Sequence, residues 1–184
     1  MRPQVRFQLA QWVPPKLQGR KLELIYAGEV DGRSLTNLYT ATRGAGPTIT
    51  LVEVLSTGEV LGMFASHSWQ VSSAVRGDGT CFVCRFGDGN VDDSVVYKWQ
   101  PSFGSSDDES NESNGSTEQF MIATPIMMDM GSGALRLNED MTIAFSGPSA
   151  TFNNKVLVRE KEGSSKEESF DVAGVEVYRF QSPW

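Results

Sequence analysis

His67 is the only histidine among the 184 residues, and it stands between two serines, Ser66 and Ser68. A serine hydrolase needs a histidine within hydrogen-bond reach of the nucleophilic hydroxyl, a third group that orients the imidazole, and an oxyanion hole. Side chains of neighbouring residues at an extended strand end point away from one another. The chain also has no G-x-S-x-G nucleophile motif. We therefore predict that His67 is a half-exposed residue at a strand end and that the chain has no catalytic residue.

Cys81 and Cys84 form a C-x-x-C pair inside the strand-like run TCFVCRF. Residues three apart in a strand face opposite sides and lie about 10 Å apart, which exceeds the roughly 7 Å between Cα atoms that a disulfide bridges. A zinc site of this type needs a second pair of ligands, which the chain lacks. We expect two reduced thiols, no metal site and no cofactor. An antioxidant enzyme that uses these thiols or the seven methionines is an alternative hypothesis.

The composition limits the classes of partner. Sixteen Lys and Arg against 23 Asp and Glu give a net charge of −7, which disfavours direct binding to nucleic acid or to an anionic membrane. No apolar run approaches the roughly 20 residues of a membrane-spanning helix, and the first residues are too polar for a signal peptide. We expect a cytoplasmic protein that does not insert into membranes.

Short apolar runs separated by turn residues predict a mainly β chain, folded as an antiparallel two-sheet β-sandwich with a few short helices. The predicted strands cover residues 22–27, 48–55, 59–65, 80–86, 94–99, 120–124, 134–137, 141–146 and 172–180. Residues 102–118 are acidic, rich in Ser and Asn, and contain no basic residue. Such a segment buries too little apolar area to offset the entropy of ordering, so we predict a disordered loop inserted between strands.

Residues 1–19 predict a helix followed by a Pro-Pro turn, because Val5, Leu9 and Trp12 fall at helical spacing before two prolines. The helix would present Arg2, Arg6 and Gln8 outward as candidate protein contacts. A fourth candidate is Trp184 in the exposed carboxyl-terminal tail, since Trp is favoured at interface hot spots.

Asp31, Gly32 and Ser34 are expected to have structural roles. Asp31 and Gly32 predict a turn, and Ser34 is a plausible N-cap for a short helix.

The order of these motifs resembles the TLDc domain, the module of the oxidation-resistance proteins. The series is WVPPKLQG, LELIYAGEVDGRSLTNLY, GPTITLVEVLSTGEVLGMFASHSW, GDGTCFVCRF, VVYKW, SATFNN and EESFDVAGVEVYRF. It covers nearly the whole chain, so residues 1–184 are predicted to be a single TLDc domain. The family places an aromatic-Gly-Gly run where this chain has only Gly131 and Gly133, so the resemblance says least about residues 127–137.

The resemblance implies a non-catalytic protein-interaction module linked to oxidative-stress resistance. It also implies a partner, the vacuolar proton ATPase, contacted at its soluble sector and peripheral stalk and regulated through its assembly and disassembly. We therefore expect a cytoplasmic monomer that is recruited to the vacuolar or endolysosomal surface. A ligand-binding β-sandwich, in which Trp69, Tyr97 and Trp99 stack on sugars, is the remaining alternative to aromatics that fill the core.

Overall fold

The computed structural model describes residues 3–87, 93–101 and 119–181. The predicted acidic loop, residues 102–118, lies outside these residues. The chain begins with helix α1 (Pro3–Trp12), a 3-10 turn (Pro15–Leu17), strand β1 (Leu22–Ala27) and helices α2 (Gly28–Asp31) and α3 (Leu35–Thr42). The later strands are β2 (Thr48–Val54), β3 (Val60–Ala65), β4 (Phe82–Phe86), β5 (Val95–Lys98), β6 (Met121–Ala123), β7 (Met127–Met130), β8 (Leu135–Asn138), β9 (Ile143–Ser146) and β10 (Glu168–Phe180). A second 3-10 turn covers Arg159–Lys161.

Strand β10 connects two antiparallel layers. Its first residues pair with β9, and its later residues pair with β2 on one side and β1 on the other. A β-bulge lies between Val172 and Gly174, where β10 passes from one layer to the next. The strand order through the described residues is β5-β4-β3-β2-β10-β9-β8-β7-β6, with β1 beside β10. The first layer contains β1 to β5 with the later part of β10, and the second contains β6 to β9 with its first residues. The prediction of a mainly β, antiparallel sandwich with a few short helices is confirmed.

The inner core fills the space between the two layers. Val52, Met63 and Val177 from the first layer belong to one buried cluster with Met130 and Leu137 from the second. Helix α3 adds Leu35 and Leu38 to the same cluster. Each layer therefore buries its apolar face against the other, which is the arrangement that stabilises a sandwich.

The outer core lies on the other face of the first layer, beneath α1. Val5 and Leu9 of α1 pack with Phe64, Phe82 and Phe180 of the sheet. The rings of Phe64 and Phe82 stack with their centroids 5.0 Å apart. Because this helix covers the second face, β2 and β3 are buried on both sides at nearly every position, and β3 is an uninterrupted run of small and apolar residues. The amino-terminal helix is therefore a third layer of the domain.

Strand β7 is a strand that the sequence pattern misses. Its four residues, MMDM, lack β-branched side chains and alternation. Asp129, which is 2 % exposed, accepts a hydrogen bond from the Gly133 amide at 2.8 Å and lies 3.5 Å from Arg136. Burial raises the pKa of the Asp129 carboxyl. This side chain thus holds the tight turn between β7 and β8 and places a polar residue where a strand pattern requires an apolar one.

Candidate protein-contact surface

The outward face of α1 carries a cation and an aromatic ring. Val5 and Leu9 are buried against the sheet, whereas Arg6 is exposed and Phe7 is 60 % exposed. Their helix is fixed by the outer core, so both side chains project from a rigid surface. Aromatic and Arg side chains together are typical of the central contacts of protein interfaces.

Gln8 does not face outward as expected. It is 7 % exposed and lies on the buried side of α1. Positions 5, 8, 9 and 12 form one face of a helix, because they are separated by three or four residues. A polar side chain at position 8 therefore follows its neighbours into the outer core, and Phe7 takes the outward position. The helical spacing of residues 5, 9 and 12 is the signal that predicts this, because residue 8 lies on the same side of the helix as they do and residue 7 does not.

Two further contact candidates, Arg2 and Trp184, lie outside the described residues. Their role as protein contacts stays a prediction.

A shallow groove of about 240 Å³ runs beside Arg6, between α1 and the residues that lead into β1. Ala10 and Phe180 contribute apolar surface, and Arg20 and Lys21 contribute positive charge. We refer to it as the basic groove.

The turn from β1 to α3 is held by its own side chains. Asp31 accepts a hydrogen bond from the Ala27 amide at 2.8 Å, and the Tyr26 hydroxyl donates to the Gly32 carbonyl at 2.8 Å. Gly32 has φ = +85°, a conformation that favours glycine. Ser34 is the N-cap of α3, and its hydroxyl accepts from the Thr36 amide at 3.2 Å. Every one of these contacts orders the backbone locally.

We expect Ser34→Ala to lower the free energy of unfolding by about 1 kcal/mol, because one amide of the first turn of α3 loses its acceptor. Thr36→Ala is the matched control in the same turn, and alanine has the higher helix propensity, so it should be neutral or slightly stabilising. Urea denaturation measures both. A Ser34→Ala variant with unchanged stability would show that the hydroxyl is not an important cap.

Ser66 contacts His67, contrary to the expectation that the two side chains diverge. The Ser66 hydroxyl lies 2.9 Å from His67 Nδ1, because β3 has ended and the chain bends at these residues. The same oxygen accepts hydrogen bonds from the Asp78 amide at 3.1 Å and from the Cys81 thiol at 3.3 Å. Its lone pairs are thus engaged in joining the end of β3 to the turn before β4. This arrangement does not suit a nucleophile, which attacks through a lone pair.

No helix among the described residues is long and apolar enough to cross a bilayer.

A family model described as the TLDc domain matches residues 1–181. The chain belongs to the TLDc domain family. It is 26 % identical over 178 residues to nuclear receptor coactivator 7 of Gallus gallus, an alignment that covers 95 % of this chain and 17 % of that protein. It is 28 % identical over 183 residues to oxidation resistance protein 1 of Bos taurus, with coverages of 97 % and 18 %. The chain therefore spans less than a fifth of these relatives, and their names describe no enzymatic activity.

The cysteines of this TLDc domain are both buried free thiols. Cys81 belongs to the inner core and Cys84 to the outer core, so they lie on opposite faces as the strand geometry predicts. Burial raises the pKa of both thiols. Little reactive thiolate therefore exists at neutral pH, which argues against the thiol-based antioxidant hypothesis.

The aromatic residues considered for sugar binding belong to the packing of the TLDc domain. Trp69 is fully buried in the inner core. Tyr97 and Trp99 are partly buried against it, and the Trp99 ring meets Phe120 edge-on with centroids 5.8 Å apart. A stacked sugar needs an open aromatic face, and these rings are used for packing instead.

Proposed function

We propose that this TLDc domain is a protein-interaction module that binds subunits of the vacuolar proton ATPase, regulates its assembly, and contributes to oxidative-stress resistance. The observation that carries the proposal is the rigid outward face of α1, where Phe7 is 60 % exposed beside Arg6. Membership of the family to which oxidation resistance protein 1 belongs supports the stress-related part. The choice of the pump follows from the resemblance of the motif series to that family.

The geometry supports regulation by binding. Helix α1 is already packed on the sheet through Val5 and Leu9, so little conformational entropy is lost when its outward face meets a partner. A module that binds the released soluble sector better than the assembled pump shifts the assembly equilibrium by its difference in affinity for the two states. Such a module works in the cytoplasm, at the vacuolar or endolysosomal surface, and needs no covalent step.

We expect Phe7→Ser and Arg6→Glu each to weaken binding to the purified soluble sector of the pump about tenfold or more, since an exposed aromatic and a cation at one contact are typical hot-spot residues. Both positions are exposed, so the free energy of unfolding should change by no more than about 0.5 kcal/mol. Surface plasmon resonance with the immobilised domain gives the affinity, and urea denaturation gives the stability.

Gln70→Ser is the matched control, because Gln70 is an exposed polar residue beside α3, away from α1. It should bind like the unmodified chain. Arg2→Ala and Trp184→Ala test the remaining contact candidates in the same assay. A chain that neither binds the purified soluble sector nor changes pump assembly would refute the proposed function.

A further inference from the structure

Positive charge is concentrated at the start of this acidic chain. Residues 1–22 contain five basic residues and no acidic one. The remainder of the chain therefore carries a net charge of −12, although the whole chain carries −7. A local field of opposite sign to the rest of the molecule orients an approaching charged partner.

The fold places three of these cations around the basic groove. Arg6 projects from α1, and Arg20 and Lys21 precede β1 on the opposite side. No carboxylate of the described residues lies within ion-pair distance of the three cations. The acidic residue that follows them, Glu23, is bound by Arg179 at 2.9 Å. Within the part of the chain that the structure describes, the charges at the rim of the groove therefore have no counterion.

The floor of the groove is apolar. The apolar residues that line it are Leu9, Ala10, Val13, Leu17, Leu22 and Phe180. Its volume of about 240 Å³ is below the roughly 300–1,000 Å³ of a typical small-molecule site, so it suits a single apolar side chain. A flat anionic membrane would meet the cations but would leave this concave floor empty.

We propose that the basic groove binds an acidic segment of a partner protein. Carboxylates of the segment pair with Arg6, Arg20 and Lys21, and one apolar side chain of the segment packs against Ala10 and Phe180. The inference deepens the proposed function and rests on it only for the identity of the partner, because the recognition chemistry is set by the groove itself. Charge pairing around a buried apolar contact gives both rapid association and a defined register.

The test is fluorescence anisotropy of the full chain with a labelled, glutamate-rich peptide that carries one central tryptophan. Binding should fall about tenfold or more in the charge reversal Arg20→Glu/Lys21→Glu, and also in Ala10→Phe, which fills the groove. It should weaken strongly at about 0.5 M salt, because exposed charges are then screened. A lysine-rich peptide of the same length should not bind.

Matched controls separate the groove from general effects. Arg43→Glu reverses an exposed charge at the end of α3, which packs on the other face of the first layer, and Gln11→Phe adds an aromatic ring to α1 outside the groove. Both should bind the acidic peptide within about twofold of the unmodified chain.

The inference is overturned if the unmodified chain does not bind the acidic peptide, if the groove variants and the controls bind it equally, or if vesicles containing phosphatidylserine bind while the peptide does not. Pump binding is measured in parallel. Peptide binding without any binding to the purified soluble sector would refute the proposed function and support the groove. Pump binding that is unchanged in both groove variants, with no peptide binding, would support the proposed function and refute the groove.

Discussion

Gly131→Ala is expected to lower the free energy of unfolding by about 3 kcal/mol or more, for two additive reasons. Gly131 has φ = +71°, a conformation that costs a residue with a side chain about 1–2 kcal/mol. A Cβ atom there would lie 2.4 Å from Cε2 of Phe152 and 3.2 Å from the Ala134 side chain. Phe152 is 3 % exposed and packs near Phe120 in the inner core. Moving the ring away would disturb this packing, and overpacking a core costs about 1–3 kcal/mol.

Gly44→Ala separates the two contributions. Gly44 has φ = +70°, but a Cβ there would meet no atom within 4 Å. In this control the free energy of unfolding should fall only by the conformational contribution, about 1 kcal/mol. Urea denaturation of both variants gives the difference that belongs to the Phe152 contact. Adding Phe152→Leu to Gly131→Ala should recover some of that difference. Equal losses at the two glycines would show that the ring does not confine Gly131.

The turn around Gly131 follows a strand that the sequence pattern does not predict. Elements with a strong period, such as α1 and the apolar runs of β2 and β3, follow directly from the spacing of their side chains. Strand β7 does not, because Asp129 is buried by contacts with Gly133 and Arg136 that form only after the hairpin has closed. The first turn after β1, helix α2, is four residues long and leaves no period to detect.

Long-range packing hides other features. Tyr178 alternates with buried valines along β10, which favours an exposed position, yet α1 covers it and it is 7 % exposed. The basic groove joins Arg6 and Lys21 to Phe180, and only the docking of α1 and the pairing of β1 with β10 bring them together. A contact surface built from both ends of a chain cannot be read from either end alone.

The second large effect is expected at Arg85, which neutralises a buried carboxylate. Glu59 is 6 % exposed; its Oε1 lies 3.5 Å from Arg85 Nε, and its Oε2 accepts a hydrogen bond from the Arg159 amide at 3.1 Å. Arg85 also donates to the Leu157 carbonyl and to Glu162, each at 3.2 Å. Arg85 and Glu59 therefore link the edge of the β2–β3 hairpin to the segment before β10.

We expect Arg85→Met to lower the free energy of unfolding by about 3–5 kcal/mol at pH 8, because it leaves a buried charge without its counterion. Glu59→Gln/Arg85→Met removes both charges and should recover most of that loss. Arg179→Met is the matched control. Its partner Glu23 is partly exposed, so this ion pair should contribute only about 0–1 kcal/mol.

The pH dependence distinguishes loss of the charge from loss of packing. Burial raises the pKa of Glu59, while the Arg159 amide and the Arg85 charge oppose that rise. A carboxyl with a raised pKa binds its proton more tightly in the folded state than in the unfolded state. Its contribution to the free energy of unfolding is therefore favourable at low pH and is lost as pH rises through the folded pKa. Without Arg85 the folded pKa of Glu59 is higher still. The stability of Arg85→Met, measured by urea denaturation, should thus fall more steeply between about pH 5 and pH 8 than that of the unmodified chain. Glu59→Gln/Arg85→Met should lack this dependence, and a parallel decline in all three proteins would assign the effect of Arg85 to packing rather than to its charge.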